Sequence, residues 1–272
     1  HFVFQRPDFY TSVRMYSTRN ANMEEPYNGE GLMNHFRGDG TNYLSVRGDE
    51  YKRLTPVYDW MKIPGATIVQ LDKMPGENEI QKWGLTDYVG AVTDGIYGAV
   101  GFDFKSPHTG LAARKAWFFF DDEVVCLGAG IHSTSQYPVY TTVNQCLSTS
   151  EKAILRHKNK QTEIVQGSFN YTSPEWILHN KIGYLFPNGG NVFVANQQQT
   201  GSWYDINHTA PKDCVQKDVF TICLDHGKQP SDAIYAYIIV PGMQTTDEVK
   251  KYQKKKNIEI LSNTENLQAV RS

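Results

Sequence analysis

Short runs of β-branched and aromatic residues, separated by turn residues, recur along most of the chain. Such runs favour β-strands, and their close spacing predicts a sandwich of large antiparallel sheets with little helix. The predicted strands cover residues 9–17, 41–46, 97–104, 116–120, 123–131, 139–146, 191–195, 218–226 and 233–240. No linker rich in glycine and serine and no internal repeat divides the sequence. We therefore expect one continuous all-β domain over residues 1–272.

Helical signals are scarce. The strongest candidate is residues 245–256, where Thr245 and Glu248 have the spacing of a capping box and lysines follow at the C-terminal end. We interpret the basic end of this segment as a solvated helix end rather than a site for a polyanion.

Acidic residues cluster at predicted turns. Asp121 and Asp122 separate two apolar strands, which predicts a hairpin, and residues 91–98 predict a second turn of this kind. The aspartates elsewhere in the chain match no calcium-binding loop, so we expect no metal and no cofactor, with calcium as the open alternative.

The four cysteines form no zinc-binding pattern. Cys126 lies in an apolar run, which is typical of a small buried hydrophobic residue. Cys214 and Cys223 are close enough in sequence to bridge a hairpin, so the disulfide state stays open.

The overall charge excludes a global attraction to polyanions. The 272 residues carry a formal net charge of -2 and contain no apolar run of membrane-spanning length. We therefore expect neither a nucleic-acid partner nor a membrane partner. The chain begins at His1, which is typical of a mature or excised piece of a protein.

Polar residues are unusually dense between residues 24 and 44. Asn28, Glu30, Asn34, His35 and Arg37 alternate with several glycines. Such a stretch is either a solvated loop or the floor of a site that holds a polar ligand, with glycines that let the backbone approach it.

Five stretches in sequence order resemble the central domain of family 8 polysaccharide lyases, with the chondroitin AC lyases most similar. They are residues 14–44, which begin RMYSTRN, then YDWMKIPGATI (58–68), KAWFFFDDEVVCLGAGI (115–131), YAYIIVPG (235–242) and NTENLQAV (263–270). The resemblance implies a β super-sandwich related to galactose-mutarotase-like proteins. It also implies a central domain between an N-terminal helical toroid and a C-terminal β domain, in a secreted or periplasmic bacterial enzyme whose substrate is an acidic polysaccharide.

The resemblance further implies β-elimination, in which a base removes the C5 proton of a uronic acid while the bond to O4 breaks. In this family the Tyr base and its His, Asn and Arg partners come from the toroid, and the central domain contributes a Glu from an Asn-Gly-Glu-Asn motif. That motif falls on Asn28, Gly29 and Glu30, and Glu30 is the predicted catalytic residue. Gly31 departs from it, and Asn34 is the candidate to supply the missing polar contact.

Further substrate contacts are predicted for Arg19, His35, Arg37 and Trp60. Arg14 and Arg19 alternate with Tyr16 beside the same region. An exposed strand face explains His35 and Arg37 equally well, and a core position explains Trp60. At the level of the whole chain, a carbohydrate-binding module without chemistry and a mutarotase-like epimerase remain alternatives to the lyase.

Overall fold

A computed structural model describes residues 1–24, 28–76, 79, 82–149, 152–255 and 257–272. Strands dominate these residues. The first nine strands are β1 (Phe2–Arg6), β2 (Phe9–Arg14), β3 (Thr41–Ser45), β4 (Thr67–Val69), β5 (Val89–Thr93), β6 (Gly98–Lys105), β7 (Ala112–Phe119), β8 (Val124–His132) and β9 (Pro138–Leu147). The remaining strands are β10 (Ala153–His157), β11 (Lys160–Ile164), β12 (Gly167–Thr172), β13 (Trp176–His179), β14 (Ile182–Leu185), β15 (Asn191–Ser202), β16 (Cys214–Lys228), β17 (Ala233–Pro241), β18 (Glu259–Asn263) and β19 (Gln268–Arg271).

Helix is limited to one α-helix and short 3₁₀ turns in the described part of the chain. The α-helix is α1 (Thr246–Lys255), and the 3₁₀ turns are Asn34–Phe36, Thr55–Val57 and Trp203–Asp205. None of the described helical residues forms a helix long and apolar enough to cross a membrane.

The strands build two large antiparallel sheets that face each other. The nine-stranded sheet has the order β11-β10-β13-β14-β17-β8-β7-β6-β5, and the five-stranded sheet has the order β12-β15-β16-β9-β4. A three-stranded sheet, β1-β2-β3, packs against the main core, and β18 pairs with β19. The predicted all-β sandwich of large sheets is therefore confirmed.

The predicted strands all occur, and their ends differ by up to seven residues, the largest difference being at the end of β15. The sequence prediction missed all of β10 to β14, and also β1, β4, β5, β18 and β19, because these strands are short or polar. In β11, for example, the side chains from Lys160 to Glu163 are exposed, since this strand is the edge of its sheet.

Large apolar side chains fill the space between the two sheets. Trp117 and Phe119 on β7 and Phe220 and Ile222 on β16 are essentially inaccessible to solvent. Burying a side chain of this size contributes about 1.5–3 kcal/mol. Cys126, at 0% exposure, belongs to the same core, which confirms its prediction as a buried hydrophobic residue.

The opposite face of the nine-stranded sheet is also covered. Val125, Leu127 and Ile238 point to that face and pack with Val249 of α1 and with the β18–β19 hairpin. Burial on both faces explains why β8 and β17 are almost continuously apolar instead of alternating.

The capping box of α1 is confirmed. The backbone N–H of Glu248 donates to Thr245 Oγ1 at 3.3 Å, and Glu248 Oε2 accepts from the backbone N–H of Thr245 at 3.2 Å. The hairpin turn after β7 is confirmed as well, since the N–H of Phe120 donates to the carbonyl of Glu123 at 3.0 Å.

The outer face of the five-stranded sheet is covered by the segment that follows β3. Leu54, Val57 and Ile63 of this segment pack on Ile68 and Val219 of the sheet. Gln145 on β9 fixes the segment, because its amide group accepts from the N–H of Asp59 at 2.9 Å and donates to the carbonyl of Lys62 at 2.7 Å.

The disulfide alternative is wrong. Cys214 and Cys223 lie on the same strand, β16, nine residues apart, which places them about 30 Å from each other along an extended chain. All four cysteines are free thiols, and Cys214 is the exposed one.

Buried histidines predict acid sensitivity of the fold. His179 is fully buried and stacks on Phe220 at 3.9 Å, and burial lowers its pKa from 6.5 to about 3. The contribution of the neutral His179 to the stability of the fold is complete above pH 6.5. Below that pH the unfolded chain takes up a proton that the folded chain resists, so stability is lost towards pH 3, by up to about 1.4 kcal/mol per pH unit.

We expect His179→Phe, which keeps the stacking and removes the titration, to flatten the dependence of unfolding free energy on pH between 6.5 and 4. Urea unfolding at a series of pH values measures this. The exposed His132→Phe is the control, and equal slopes in both variants would contradict the assignment.

Candidate functional site

The dense polar stretch forms a tightly coiled segment, here called the site segment (residues 28–40). Its glycines Gly29, Gly31 and Gly40 have φ values of +77°, +66° and +87°, a region that residues with a Cβ rarely adopt. The coil leaves Asn28 and Glu30 exposed and turns the following residues inward.

A second loop, here called the clamp loop (residues 202–212), holds the exposed end of the site segment. The N–H of His208 donates to the carbonyl of Gly29 at 2.7 Å, and the N–H of Leu32 donates to the carbonyl of Ile206 at 3.2 Å. These bonds fix the backbone on both sides of Glu30.

The same loop orients the Glu30 carboxylate. Asn207 Nδ2 donates to Glu30 Oε1 at 3.3 Å, while Asn207 Oδ1 accepts from the N–H of Thr209 at 2.8 Å. Glu30 is otherwise exposed, so its second carboxylate oxygen is accessible to a partner from outside this chain.

Gly31 and Asn34 pack directly against each other. A Cβ at Gly31 would lie 2.4 Å from Asn34 Nδ2, and the N–H of Asn34 donates to the Gly31 carbonyl at 3.2 Å. Asn34 is only 7% exposed. The backbone N–H of Asn34 therefore closes the turn that follows Glu30. Glycine stands at position 31 because a Cβ there would collide with the Asn34 side chain.

His35 lies inside the protein. It is 1% exposed, its Nε2 is 3.2 Å from the carbonyl of Gly76, and its ring meets the ring of His108 at 5.1 Å. The prediction that His35 contacts a substrate is therefore corrected for this structure, because the ring presents no surface to a ligand. Burial lowers the pKa of His35, and burial together with the neighbouring His35 lowers the pKa of His108 to about 4.

A buried ionisable cluster holds the other end of the site segment. Lys115 is 1% exposed on β7, and its Nζ donates to the carbonyl of Asp39 at 2.9 Å and to that of Gly65 at 2.6 Å. The hydroxyl of Tyr16 donates to Asp39 Oδ1 at 2.9 Å. Burial lowers the pKa of Lys115 to about 7 and raises the pKa of Asp39 to about 8, and each charge opposes the shift of the other.

Gly40 is required by the same cluster. A Cβ there would come within 2.7 Å of Lys115 Nζ and 3.0 Å of Trp117. The site segment therefore ends with its backbone packed onto the side chains of the nine-stranded sheet.

Arg37 projects from the site segment to solvent, and its carbonyl accepts a hydrogen bond from Thr41 Oγ1 at 2.7 Å. Arg19 is also exposed, and its Nη1 donates to the carbonyl of Asp87 at 2.9 Å. Trp60 is half-buried against Tyr58, with ring centroids 5.4 Å apart, in the cluster that covers the five-stranded sheet. Of these three predicted residues, Arg19 and Arg37 present their side chains to solvent.

Sequence reasoning missed several side chains around Glu30 and Arg19. In the clamp loop, the rings of Tyr204 and His208 lie 4.8 Å apart, and Lys212 Nζ lies 4.3 Å from the centre of the Tyr204 ring. Near Arg19, Trp83 is 54% exposed and its backbone pairs with Ala21. The dipeptide Trp203-Tyr204 within a polar loop was the available signal for the first group.

The described residues contain no group of three or more His, Cys, Asp or Glu side chains placed to hold a metal ion. Two of the aspartates considered as ligands serve local roles instead. Asp94 accepts hydrogen bonds from the N–H groups of Ile96 and Tyr97, and Asp59 pairs with Lys62 at 2.5 Å.

Comparison with known families and proteins extends these observations. Residues 1–253 match the family model described as the super-sandwich domain of polysaccharide lyase family 8. The chain is 39% identical over 270 residues to chondroitinase-AC of Pedobacter heparinus, which covers 97% of this chain and 37% of that protein. It is 34% identical over 278 residues to a hyaluronate lyase of Thermasporomyces composti, covering 98% of this chain and 35% of that protein.

Solved structures agree in fold. A chondroitinase AC lyase, determined in complexes with oligosaccharides, superposes with a TM-score of 0.91 at 37% identity, covering 98% of this chain and 39% of that one. A Paenibacillus xanthan lyase superposes with a TM-score of 0.90 at 28% identity, covering 98% of this chain and 26% of that one. The chain thus spans between 26% and 39% of the length of these relatives.

The buried lysine gives a testable prediction for the site segment. We expect Lys115→Met to leave the carbonyls of Asp39 and Gly65 without a donor, which costs about 1–3 kcal/mol for each buried unsatisfied group. Hydrogen exchange at Asn42, whose N–H donates to the carbonyl of Pro64 at 2.7 Å, should accelerate relative to the amides of β13.

The matched control is Lys251→Met on the exposed surface of α1. Unchanged exchange at Asn42 in Lys115→Met would show that Lys115 does not hold the site segment.

Proposed function

Because the chain belongs to polysaccharide lyase family 8 as a super-sandwich domain, we propose that its parent protein depolymerises an acidic polysaccharide of chondroitin or hyaluronan type by β-elimination. This domain contributes Glu30 and one wall of the substrate cleft. The observation that carries the proposal is an exposed Glu30 on a glycine-coiled segment, held by two backbone hydrogen bonds and by the amide of Asn207.

The proposal extends to the rest of the enzyme. The chain covers 37% and 35% of two lyases that it resembles, and we propose that it is the central domain of a protein whose N-terminal helical toroid carries the Tyr base. The proposed enzyme is secreted or periplasmic, and it acts without a cofactor from this domain.

The chemistry sets the demands on the cleft. The base removes the proton at C5 of a uronic acid, the electron pair forms the C4–C5 double bond, and the bond from C4 to the glycosidic oxygen breaks with a proton delivered to that oxygen. The C5 proton is weakly acidic, so the adjacent carboxylate must be neutralised by hydrogen bonds or positive charge in the transition state.

Glu30 fits an orienting role in this chemistry. A carboxylate directly against a uronate would repel it, so we place Glu30 behind an Arg of the toroid, whose guanidinium it holds in position. Asn207 engages one carboxylate oxygen from the side. The other oxygen remains accessible for the bond to that Arg.

The substrate wall would include the exposed groups around Glu30. Asn28 precedes Glu30 on the site segment, Arg37 follows it, and Tyr204 with Lys212 stands on the clamp loop. Aromatic faces and cations suit a polymer of sugar rings that bear negative charges.

A carbohydrate-binding module without chemistry is the second candidate. The exposed Trp83, whose backbone pairs with Ala21 two residues after Arg19, favours it, because an aromatic ring and a cation bind a charged sugar without any catalytic group. The lyase proposal requires that substitution of Glu30 changes the rate of turnover. The binding-module hypothesis makes no such requirement.

Glu30 is tested in the parent enzyme. We expect Glu30→Gln to lower kcat by about one to two decades while KM changes much less, because the charge-assisted bonds it weakens act mainly in the transition state. The increase in ultraviolet absorbance from unsaturated uronate measures the rate. Glu163→Gln, on the exposed edge strand β11, is the control, and a parental kcat in Glu30→Gln would remove Glu30 from the site.

The isolated chain gives a second prediction. We expect the 272-residue chain to release no unsaturated uronate from chondroitin or hyaluronan, since residues that act as a unit leave little activity when most are missing. Ultraviolet absorbance of the digest is again the measurement. Turnover by this chain alone would locate the base within it and overturn the division of roles.

A further inference from the structure

A pocket of about 250 Å³ lies on the solvent side of the three-stranded sheet, next to the site segment. Alternating residues of β2 and β3 line it, namely Ser12 and Arg14 on β2 and Thr41 and Tyr43 on β3, together with Arg37 of the site segment. The remaining lining residues are His1, Val3, Tyr10 and Val13. Strand pairing fixes this arrangement, because Ser12 lies opposite Tyr43 and Arg14 lies opposite Thr41.

Two arginines therefore share one small concave surface. Arg14 is half-buried and Arg37 is exposed. Burial and then the charge of Arg37 lower the pKa of Arg14, whereas the opposite contribution of Glu24 is smaller. Like charges thus act on each other across the pocket.

Neither arginine forms an ion pair with a described residue of the protein. Among the described residues, no carboxylate lies within ion-pair distance of Arg14 or Arg37, although the arginines at positions 6, 47, 114, 156 and 271 all have such partners. Two guanidinium groups that share one concave surface repel each other, and an anion bound between them would relieve this repulsion.

We infer that this arginine pocket binds an anionic group of the polysaccharide, a sulfate ester or a carboxylate, at a position separate from Glu30. The inference rests on the proposed function only for the identity of the polymer. Arg guanidinium groups match the planar or tetrahedral oxygens of such anions with paired N–H donors. The hydroxyl group of Ser12 lines the same pocket as a further donor, whereas Thr41 Oγ1 donates to the carbonyl of Arg37 and the Tyr43 hydroxyl is hydrogen-bonded to that of Tyr58.

The size of the pocket suits this ligand. A volume of about 250 Å³ accommodates one charged group with part of its sugar ring, and it is smaller than the pockets of about 300–1,000 Å³ that enclose a drug-sized molecule. Arg37 belongs to the site segment, so the pocket adjoins the segment that carries Glu30.

Inorganic sulfate is the first probe, because its binding requires no lyase activity. We expect sulfate to raise the melting temperature of the 272-residue chain above the value in sodium chloride of equal ionic strength. Calorimetry should show at least about tenfold weaker sulfate binding in Arg14→Gln and in Arg37→Gln, since a hydrogen bond to a charged group is lost in each.

A second readout separates binding from damage to the fold. Without sulfate and at low salt, Arg14→Gln should melt at the same temperature as the parent chain or higher, because the repulsion between the two guanidinium groups is gone. Arg53→Gln, an exposed arginine outside the pocket, is the control. Equal sulfate binding in Arg14→Gln and Arg53→Gln would overturn the proposed anion site. A melting temperature that sulfate raises no more than chloride does would overturn it as well.

Competition identifies the source of the anion. Oligosaccharides of chondroitin sulfate that displace sulfate, when those of hyaluronan do not, would assign a sulfate ester, and displacement by both would assign a carboxylate. Displacement by neither would overturn the polysaccharide as ligand. Glu30→Gln should bind sulfate normally, so a failure of the Glu30 proposal and a failure of the pocket are distinguishable.

Discussion

The position of the candidate site depends on one buried lysine side chain. Lys115 occupies an inward-facing position on β7, between Ala113 and Trp117, where an apolar side chain would be expected. Its ammonium group instead binds two backbone carbonyls from loops that no strand pairing joins, at Asp39 and Gly65. Burying a charge is costly, and such a charge is tolerated only where hydrogen bonds satisfy it. The contact therefore connects the central sheet to the segment that carries Glu30.

Around this contact the two large sheets carry the loops of the candidate site. Both faces of the nine-stranded sheet are covered, and the segment after β3 covers the five-stranded sheet. The site segment and the clamp loop meet at Gly29 through backbone hydrogen bonds, which are less sensitive to side-chain substitution than ion pairs are.

Local patterns predicted the parts of the fold that local chemistry determines. The capping box at Thr245 and the hairpin at Asp121 were correct because each depends on neighbouring residues. Edge strands such as β11 were missed because their side chains face solvent on both sides. The position of Glu30 on an exposed loop was anticipated through a family resemblance, not through periodicity.

Two residues near the site have neighbours that the sequence did not predict. His35 was predicted as a ligand contact and is buried, and Arg14 was noted only beside Arg19 although the structure pairs it with Arg37. In both cases the decisive neighbour is distant in sequence or on another element, His108 for His35 and the end of the site segment for Arg14. Such neighbours follow from strand pairing, which no single segment of the chain specifies.

The distribution of thiols allows a spectroscopic label to be attached selectively at the base of the clamp loop. Cys126, Cys146 and Cys223 are buried, and burial raises each of their pKa values to about 12, so they react poorly with thiol reagents. Cys214 is exposed and pairs with Ser202 at the base of the clamp loop. A maleimide spin label or fluorophore would therefore attach at this one position in the natural sequence. It would report directly whether the loop that carries Asn207 changes its mobility when an oligosaccharide arrives.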